Sequence, residues 1–498
     1  MKIIIIGSGP CGLGAAWRAE EVIRQSMSNL YQKCTQSFCI TCLGYQGLEW
    51  KVVEKSDNAG GLAKTIIDDN GFLWDIGAHV IFSHYAYFTS LLDIALPLEE
   101  WTVKKREAWV WMRDTCIPYP LQQNLYRLPT DEIIRCMDGL LEVEQKRLSF
   151  HKPKNFREWL QQSFGKGLCE TFMFPYNFKV WACPLEKMNV EWMGERVATV
   201  DVSKVIKNVI TKTDDGGWGP NSTFRYPKHG GTGAIWMGLY KKLPSKNFVF
   251  SKSVTSIDVK KKEIIYSDGE SEHYDALVST MPLCSLCRVV KGTNMSLDVL
   301  RHKASQFRYS SSHIVGFGMQ GCPPILLRDK TWLYFPEDNC PFYRVSIFSN
   351  FAEDNVPRPG KQWSLMCEIA ESVDKPINYN NIIELTEQGL KNTKLIDDRT
   401  EIVSHFHIRL EYGYPTPFCG RDALCREISE ELEVFEIYSR GRFGSWKYEI
   451  ANQDHSLMQG VEVIDRILFG VEEMTFKHSN SVNQNRDTNG RQPLPLSY

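Results

Sequence analysis

Six residues near the start, Gly7-Ser8-Gly9-Pro10-Cys11-Gly12, have the types and spacing to hold a diphosphate. They follow an isoleucine-rich run, residues 2–6, of the kind a buried parallel strand shows. Leu13-Gly14-Ala15-Ala16-Trp17 then opens a helix. In that context Gly7, Gly9 and Gly12 allow a tight turn and close backbone approach. The helix N-terminus offers free N–H groups and the positive end of its dipole to a pyrophosphate. The same spacing recurs at Gly316, Gly318 and Gly321, but Cys322-Pro323-Pro324 follows. Two prolines there do not open a helix that continues from a glycine loop, so this second match is set aside. Residues 48–54 read as the next strand, with Glu54 at its end to accept ribose hydroxyls. The gap from Gly12 to Glu54 is about twice the usual twenty or so residues. Residues 24–46 read as an insert without helical or strand period, either a lineage-specific loop or intronic sequence carried into the frame. Beyond Glu54, Asn58-Ala59-Gly60-Gly61-Leu62-Ala63 and the hairpin around 71–77 fit a flavin better than a nicotinamide alone, so FAD is the expected cofactor.

A second anion chemistry sits in residues 340–348, CPFYRVSIF. On a strand, Phe342, Arg344, Ser346 and Phe348 share one face. The nearest acids along the chain are Glu337 and Asp338. Arg344 can pair with an acid on a neighbouring strand, or it can clamp a diphosphate, for which its planar fork is suited. In a typical protein the salt bridge is the commoner outcome; the mainly apolar face and the nucleotide loop weigh against it here.

These groups need a large scaffold. The chain has 498 residues, 43% of them apolar, which is ample for a packed core of more than one domain. A net charge of −2 argues against a general nucleic-acid binder. No apolar run approaches the length that spans a bilayer, and the short run at 3–6 ends in the glycine loop without the features of a signal peptide. A cytoplasmic protein is expected. Fifteen scattered cysteines do not form a secreted disulfide framework. Neither the group Cys34, Cys39, Cys42 nor the Cys284/Cys287 pair supplies four metal ligands. His79 and His84 have no carboxylate or cysteine close by in sequence, and no metal is expected.

The elements follow from periodicity. Helices are expected at about 85–100 and 130–147, with Thr130 as N-cap and Ile133, Met137, Leu140 and Leu141 on one face. Asn155 and Glu158 resemble a capping box. Residues 105–215 read as mostly helical, and another helix follows Gly233. Strand pairs are expected over 247–268 and a return strand of the nucleotide fold at 276–280. From 300 to 420 longer strands, clearest at 332–335, 343–348 and 364–369, suggest an antiparallel sheet. The polar tail from 479 is expected to be disordered.

Several ordered stretches now point one way: residues 76–85, 174–181, 194–197, 218–221, 332–344, 412–417, 441–448 and 452–456. Through them the chain resembles the eukaryotic UDP-galactopyranose mutases from residue 2 to about 470, apart from the insert. The resemblance implies an α/β fold: a Rossmann-like FAD-binding domain of the GR2 type (1–104 with 216–290 and 436–475), an inserted helical domain (105–215) and an antiparallel β-sheet domain (291–435). It implies interconversion of UDP-galactopyranose and UDP-galactofuranose through attack of N5 of reduced FAD on the anomeric carbon, without net redox. NADPH is the implied reductant.

By the same resemblance, Arg344 and Arg196 hold the departing diphosphate, with Tyr334, Tyr414 and Tyr448 as hydroxyl donors, and His79 lies in the loop over the flavin. Tyr119 and Gln122 fall at the uracil positions, and Asn177 and Trp181 near the ribose. Arg106, Met173, Asn221 and Trp332 complete the substrate side. Gly7, Gly9, Gly12, Glu54, Lys55, Gly61, Leu62 and Gly77 fall on the cofactor side. Arg442, Asn452, Gln453, Asp454 and Ser456 close that side. The chain departs from the family pattern at Ala78, where a second glycine is common, at Leu121, which replaces an aromatic, and at Phe351, which replaces a tyrosine. An oxidase of the amine-oxidase or protoporphyrinogen-oxidase kind shares the nucleotide fold, but it leaves the two arginines and three tyrosines unexplained. A non-catalytic FAD or UDP-sugar binding protein is the outcome if the insert disrupts the adenosine end of the FAD site. A homo-oligomer is left open.

Overall fold

The isoleucine run Lys2–Ile6 is the central strand of a five-stranded parallel sheet, in the order Ile437–Ser439, Ala276–Ser279, Lys2–Ile6, Glu49–Val53, Phe248–Val249. Ile3, Ile4 and Ile5 are fully buried, as a sheet covered on both faces requires. The computed structural model describes residues 1–33, 47–149, 151–193, 196–216 and 222–484.

The helix behind the glycine loop spans Pro10–Lys33 and packs against the helix Gln453–Phe469. A Cβ on Gly14 would lie 2.3 Å from Leu457 O, and one on Gly460 2.0 Å from Cys11 O. Backbone meets backbone there, and only glycine fits. The helix runs on through residues 24–33, which corrects the reading of that stretch as aperiodic. No glycine or proline between Gly14 and Lys33 interrupts it. Residues 34–46, the rest of the expected insert, lie outside the described residues. Glu49–Val53 enters in register beside Lys2–Ile6, which sets Glu54 at the end of the strand next to the glycine loop.

The second sheet has seven strands, in the order Ile402–Pro415, Tyr309–Gln320, Gln362–Glu371, Arg344–Ile347, Trp332–Tyr334, Ala108–Met112, Thr115–Pro118. Its pairs are antiparallel, except that Trp332–Tyr334 runs parallel to Ala108–Met112. The hairpin 108–118 belongs to the stretch expected to be mostly helical, and it extends the sheet instead. The helices Thr130–Lys146, Phe156–Leu168, Phe174–Trp181 and Val202–Thr211 occupy much of the rest of that stretch. Thr130 lies inside its helix, whose cap is Pro129, and Leu141 is exposed where Leu140 is buried. Asn155 Oδ1 accepts from Glu158 N at 3.0 Å, but Glu158 Oε2 accepts from Lys154 N, one residue before the reciprocal position.

Gly316 and Gly318 lie mid-strand, where a Cβ would come within 2.7 Å of Trp74 and 2.5 Å of Phe72. Their spacing makes room for stacked aromatics and not for a nucleotide. The expected disordered tail is corrected in part: Ser479–Gln484 is helical, with Val482 buried and Asn483 Nδ2 donating to Glu449 O at 3.0 Å. Residues 485–498 lie outside the description. Among the described residues no helix is long and apolar enough to cross a membrane.

Candidate active site

At the nucleotide end, the turn after Lys2–Ile6 is closed by Gly7, at φ +97°, whose N donates to Val53 O at 2.8 Å. A Cβ on Gly12 would stand 1.9 Å from Gly7 O, so the loop folds only with glycine there. Gly60 N donates to Ser8 O at 3.0 Å, and a Cβ on Gly61 would lie 3.0 Å from Gly9 Cα. The glycine pair is thus laid on the glycine loop, with Leu62 beside it in the same short helical turn. Glu54 Oε2 accepts from Ser8 N at 2.7 Å and Ser8 Oγ at 3.0 Å, which ties this carboxylate to the loop. Its neighbour Lys55 is exposed.

The same loop meets the helix Gln453–Phe469, whose N-cap is Asn452. Gly441 N donates to Gln459 Oε1 at 2.9 Å, and a Cβ on Gly441 would lie 2.9 Å from that of Cys11. Arg442 donates from Nε and Nη2 to Gly413 O and from Nη1 to Ala451 O. Two expected cofactor contacts are engaged by the protein. Gln453 Oε1 accepts from Trp236 Nε1 at 2.8 Å, and Asp454 Oδ2 pairs with His84 Nδ1 at 2.7 Å and accepts from His84 N at 3.0 Å. Burial works against ionisation of Asp454, yet His455 and His84 beside it hold its carboxyl far below the usual range. His84 has no carboxylate close by in sequence, but the fold brings Asp454 to it from 370 positions along the chain. Ser456 begins the helical ladder, its N donating to Asn452 O.

At the opposite end, Arg344 is placed by sheet register. It lies across from Tyr334 on one side and Glu368 on the other. Its Nε and Nη2 donate to Glu368 Oε1 and Oε2, both at 2.7 Å. The salt bridge to a neighbouring strand is thus formed, with an acid the sequence did not single out. Glu337 pairs with Arg113 instead. Burial opposes both charges, but the pairing holds Glu368 below the ordinary carboxylate range and Arg344 above its own. Phe342 does not share the arginine's face: it precedes the strand and packs on Phe335, 4.8 Å between centroids, in the cluster that contains Val345.

Around Arg344 stands a wall of tyrosines. Tyr334 meets Tyr119 at 5.1 Å and Tyr176 at 5.4 Å; Trp181 meets Tyr414 at 5.9 Å and Tyr448 at 4.8 Å. Arg196 lies 5.5 Å from the Tyr448 ring and donates from Nη2 to Glu449 O at 2.6 Å; Arg442 lies 5.0 Å from the Tyr414 ring. Burial raises the phenol pKa values of Tyr119, Tyr334 and Tyr414, with nearby cations pulling the other way, so these hydroxyls are protonated donors at neutral pH. Arg106 is among those cations, for Tyr119 and Tyr334. Trp332 and Met173 are buried behind this wall.

Several buried polar atoms around the site, Trp332 Nε1 among them, have no protein partner among the described residues, and two fall at expected ligand positions. Gln122 donates from Nε2 to Ala198 O at 2.8 Å, but its buried Oε1 has no acceptor bond among the described residues. Buried His79 Nδ1 is likewise unpartnered. Burial first, then Arg442 and Arg344, push the His79 pKa down to about 4 against the pull of Glu368, so the ring is neutral at pH 7. His79 therefore lies within electrostatic reach of both Arg442 and Arg344. Asn177 Nδ2 is tied to Met173 O. Asn221 lies outside the described residues, as do Gly194 and Glu195. Glu368, Tyr343 and Tyr176 are the site residues that sequence reasoning missed. An acid in the middle of the otherwise apolar run Leu365–Ala370 was the available signal for the first.

The flavin containing amine oxidoreductase family matches residues 41–330. A UDP-galactopyranose mutase crystallised in its reduced state is 44% identical, over 97% of this chain and 98% of its own, with a TM-score of 0.90. A protein from Exiguobacterium sp. described as a protoporphyrinogen oxidase (14% identity, 94% and 99% coverage, TM-score 0.69) and a putrescine oxidase (12%, 94% and 99%, TM-score 0.61) share the fold.

Proposed function

We propose, from the premise that this chain belongs to the UDP-galactopyranose mutase family, that it interconverts UDP-galactopyranose and UDP-galactofuranose without net oxidation. The observation that supports this reading best is the pairing of two half-buried arginines, Arg344 and Arg196, with a wall of tyrosines in which Tyr334 and Tyr414 are held protonated. Such a site suits a diphosphate leaving group. An amine oxidase's cationic substrate would meet repulsion there, which disfavours the oxidase alternative.

FAD fits the glycine loop, whose tight turn and close backbone packing a Cβ on Gly12 or Gly61 would break, and the Glu54 carboxylate beside Ser8 N suits the ribose. Bound and reduced, the flavin supplies the nucleophile, N5, for the anomeric carbon. The chain's own work is to hold the UDP that leaves. Arg344 presents guanidinium N–H groups beyond the edge bound to Glu368, and Tyr334, Tyr414 and Tyr448 donate hydroxyls to the same anion. Keeping UDP at that distance makes its return attack intramolecular in effect. Neutral His79 adds no charge beside the flavin ring. Gln122 Oε1, the unpartnered acceptor, takes the uracil N3–H. NADPH as electron donor and a cytoplasmic location complete the reading.

The test is dithionite-reduced holoenzyme with UDP-galactofuranose, assayed chromatographically for UDP-galactopyranose. Turnover is expected only with reduced flavin and without stoichiometric loss of reductant. Equal turnover by fully oxidised enzyme, or amine-dependent oxygen uptake in its place, would sink the reading.

Gln122→Ala and Tyr119→Ala are expected to raise KM about fivefold each, roughly 1 kcal/mol, the net value of one neutral hydrogen bond. The uracil does not change during the reaction, so kcat should move little. A fall in kcat at unchanged KM would place both residues elsewhere.

A further inference from the structure

Glu368, 2% exposed, stands where three parts of the site meet. Its carboxylate takes the side-on edge of Arg344, formed by Nε and Nη2. Tyr343 OH donates to Oε2 at 2.8 Å. Ala78 N donates to Oε1 at 3.2 Å. Ala78 belongs to the loop that carries His79, and a Cβ on Gly77 would lie 3.7 Å from Glu368 Oε2 and 3.9 Å from His79 Nε2. Arg344 Nη1 forms no hydrogen bond to a described residue, so the end-on edge, Nη1 with the second Nη2 hydrogen, stands available beside Tyr334. An arginine can thus serve a carboxylate and a phosphate at once, one on each edge.

We propose that Glu368 is a positioning residue that couples diphosphate capture to the placement of the His79 loop: it aims the end-on edge of Arg344 at the diphosphate and fastens the loop through Ala78 N. This rests on the mutase reading. A diphosphate on the end-on edge draws the guanidinium away from the carboxylate, and the carboxylate then leans on Ala78 N and Tyr343. UDP binding and loop placement therefore report on each other.

The sign of one affinity change separates this from a merely electrostatic role. Removing an anion beside the clamp would by Coulomb's law tighten UDP binding; losing the aim of the guanidinium weakens it. Glu368→Gln, Glu368→Asp, Arg344→Ala and the double variant Arg344→Ala/Glu368→Gln are compared as holoenzymes. The readouts are UDP Kd, the UDP-induced change in the flavin absorption spectrum, FAD content and Tm. Glu368→Gln is expected to keep its FAD, to weaken UDP binding about tenfold, and to lose at least half of the spectral change at saturating UDP. Glu368→Asp, one methylene shorter, should recover part of the affinity. The double variant should bind UDP no worse than Arg344→Ala alone, because Glu368 acts through Arg344. Unchanged or tighter UDP binding by folded Glu368→Gln, or additive losses in the double variant, overturns the proposal. Wild-type enzyme that binds UDP without interconverting the sugars defeats the mutase reading and leaves the coupling to be decided by these same affinities. Wild-type enzyme that binds no UDP defeats both.

Discussion

Arg344→Ala is expected to lower flavin-normalised kcat together with UDP affinity, by about 2–4 kcal/mol, the scale of losing one charged donor from a shielded site. Charge builds on the phosphate oxygen as the sugar bond breaks, so the cation's contribution grows toward the transition state. The same substitution leaves the Glu368 carboxylate buried and without its cation. Breaking such a pair costs about 3–5 kcal/mol of stability. Activity and Tm therefore fall together, and the single variant does not separate chemistry from architecture. The double variant with Glu368→Gln does. Removing the stranded charge should restore much of the Tm while turnover stays low. Arg344→Lys keeps a bond to Glu368 but has no second edge, so it should recover activity only in part. Near-normal kcat in the folded double variant would remove Arg344 from the diphosphate.

Gly12→Val should abolish flavin binding outright. Its Cβ would stand 1.9 Å from Gly7 O and 2.9 Å from Gly7 C, both backbone atoms of the same turn, so no side-chain movement relieves the clash. The loop must rebuild, and the N–H groups that would face a pyrophosphate move with it. Released flavin per protein, measured after denaturation, should drop to near zero. Gly216→Ala is the matched control, since nothing lies within 4 Å of the added methyl. A Gly12→Val protein that purified with a full complement of FAD would show that the loop does not cradle the cofactor.

What the sequence made legible was local. The strand, glycine loop and helix follow one another within 33 residues, and each element's signal sits in its own neighbourhood. Arg344 was visible as an anomaly, a charge among apolar strand residues. Its partner was not, because that choice depends on the register between two strands 24 positions apart, and the acids nearest along the chain pointed elsewhere. His84 and Asp454 show the same limit at greater separation. The hairpin 108–118 was missed because two short strands rich in tryptophan and cysteine carry little alternation. The tail's polar composition hid one anchoring contact, Asn483 to Glu449. The tyrosine wall has no periodic signature at all, and it was reached only through resemblance to a family.

The parallel sheet takes its strands from residues 2–6, 49–53, 248–249, 276–279 and 437–439, and its glycine-loop helix rests on residues 453–469. During synthesis the first strand leaves the ribosome early, yet its second partner, Ala276–Ser279, arrives after more than half of the chain has been made. The cleft at Gly14 stays unfilled until Leu457 has been added. Pairings this distant in sequence close slowly and leave apolar strand edges exposed meanwhile. Until those segments are made, the nascent chain cannot complete its central sheet. A chain truncated before residue 437 lacks one strand of the parallel sheet and the helix that packs on the glycine loop.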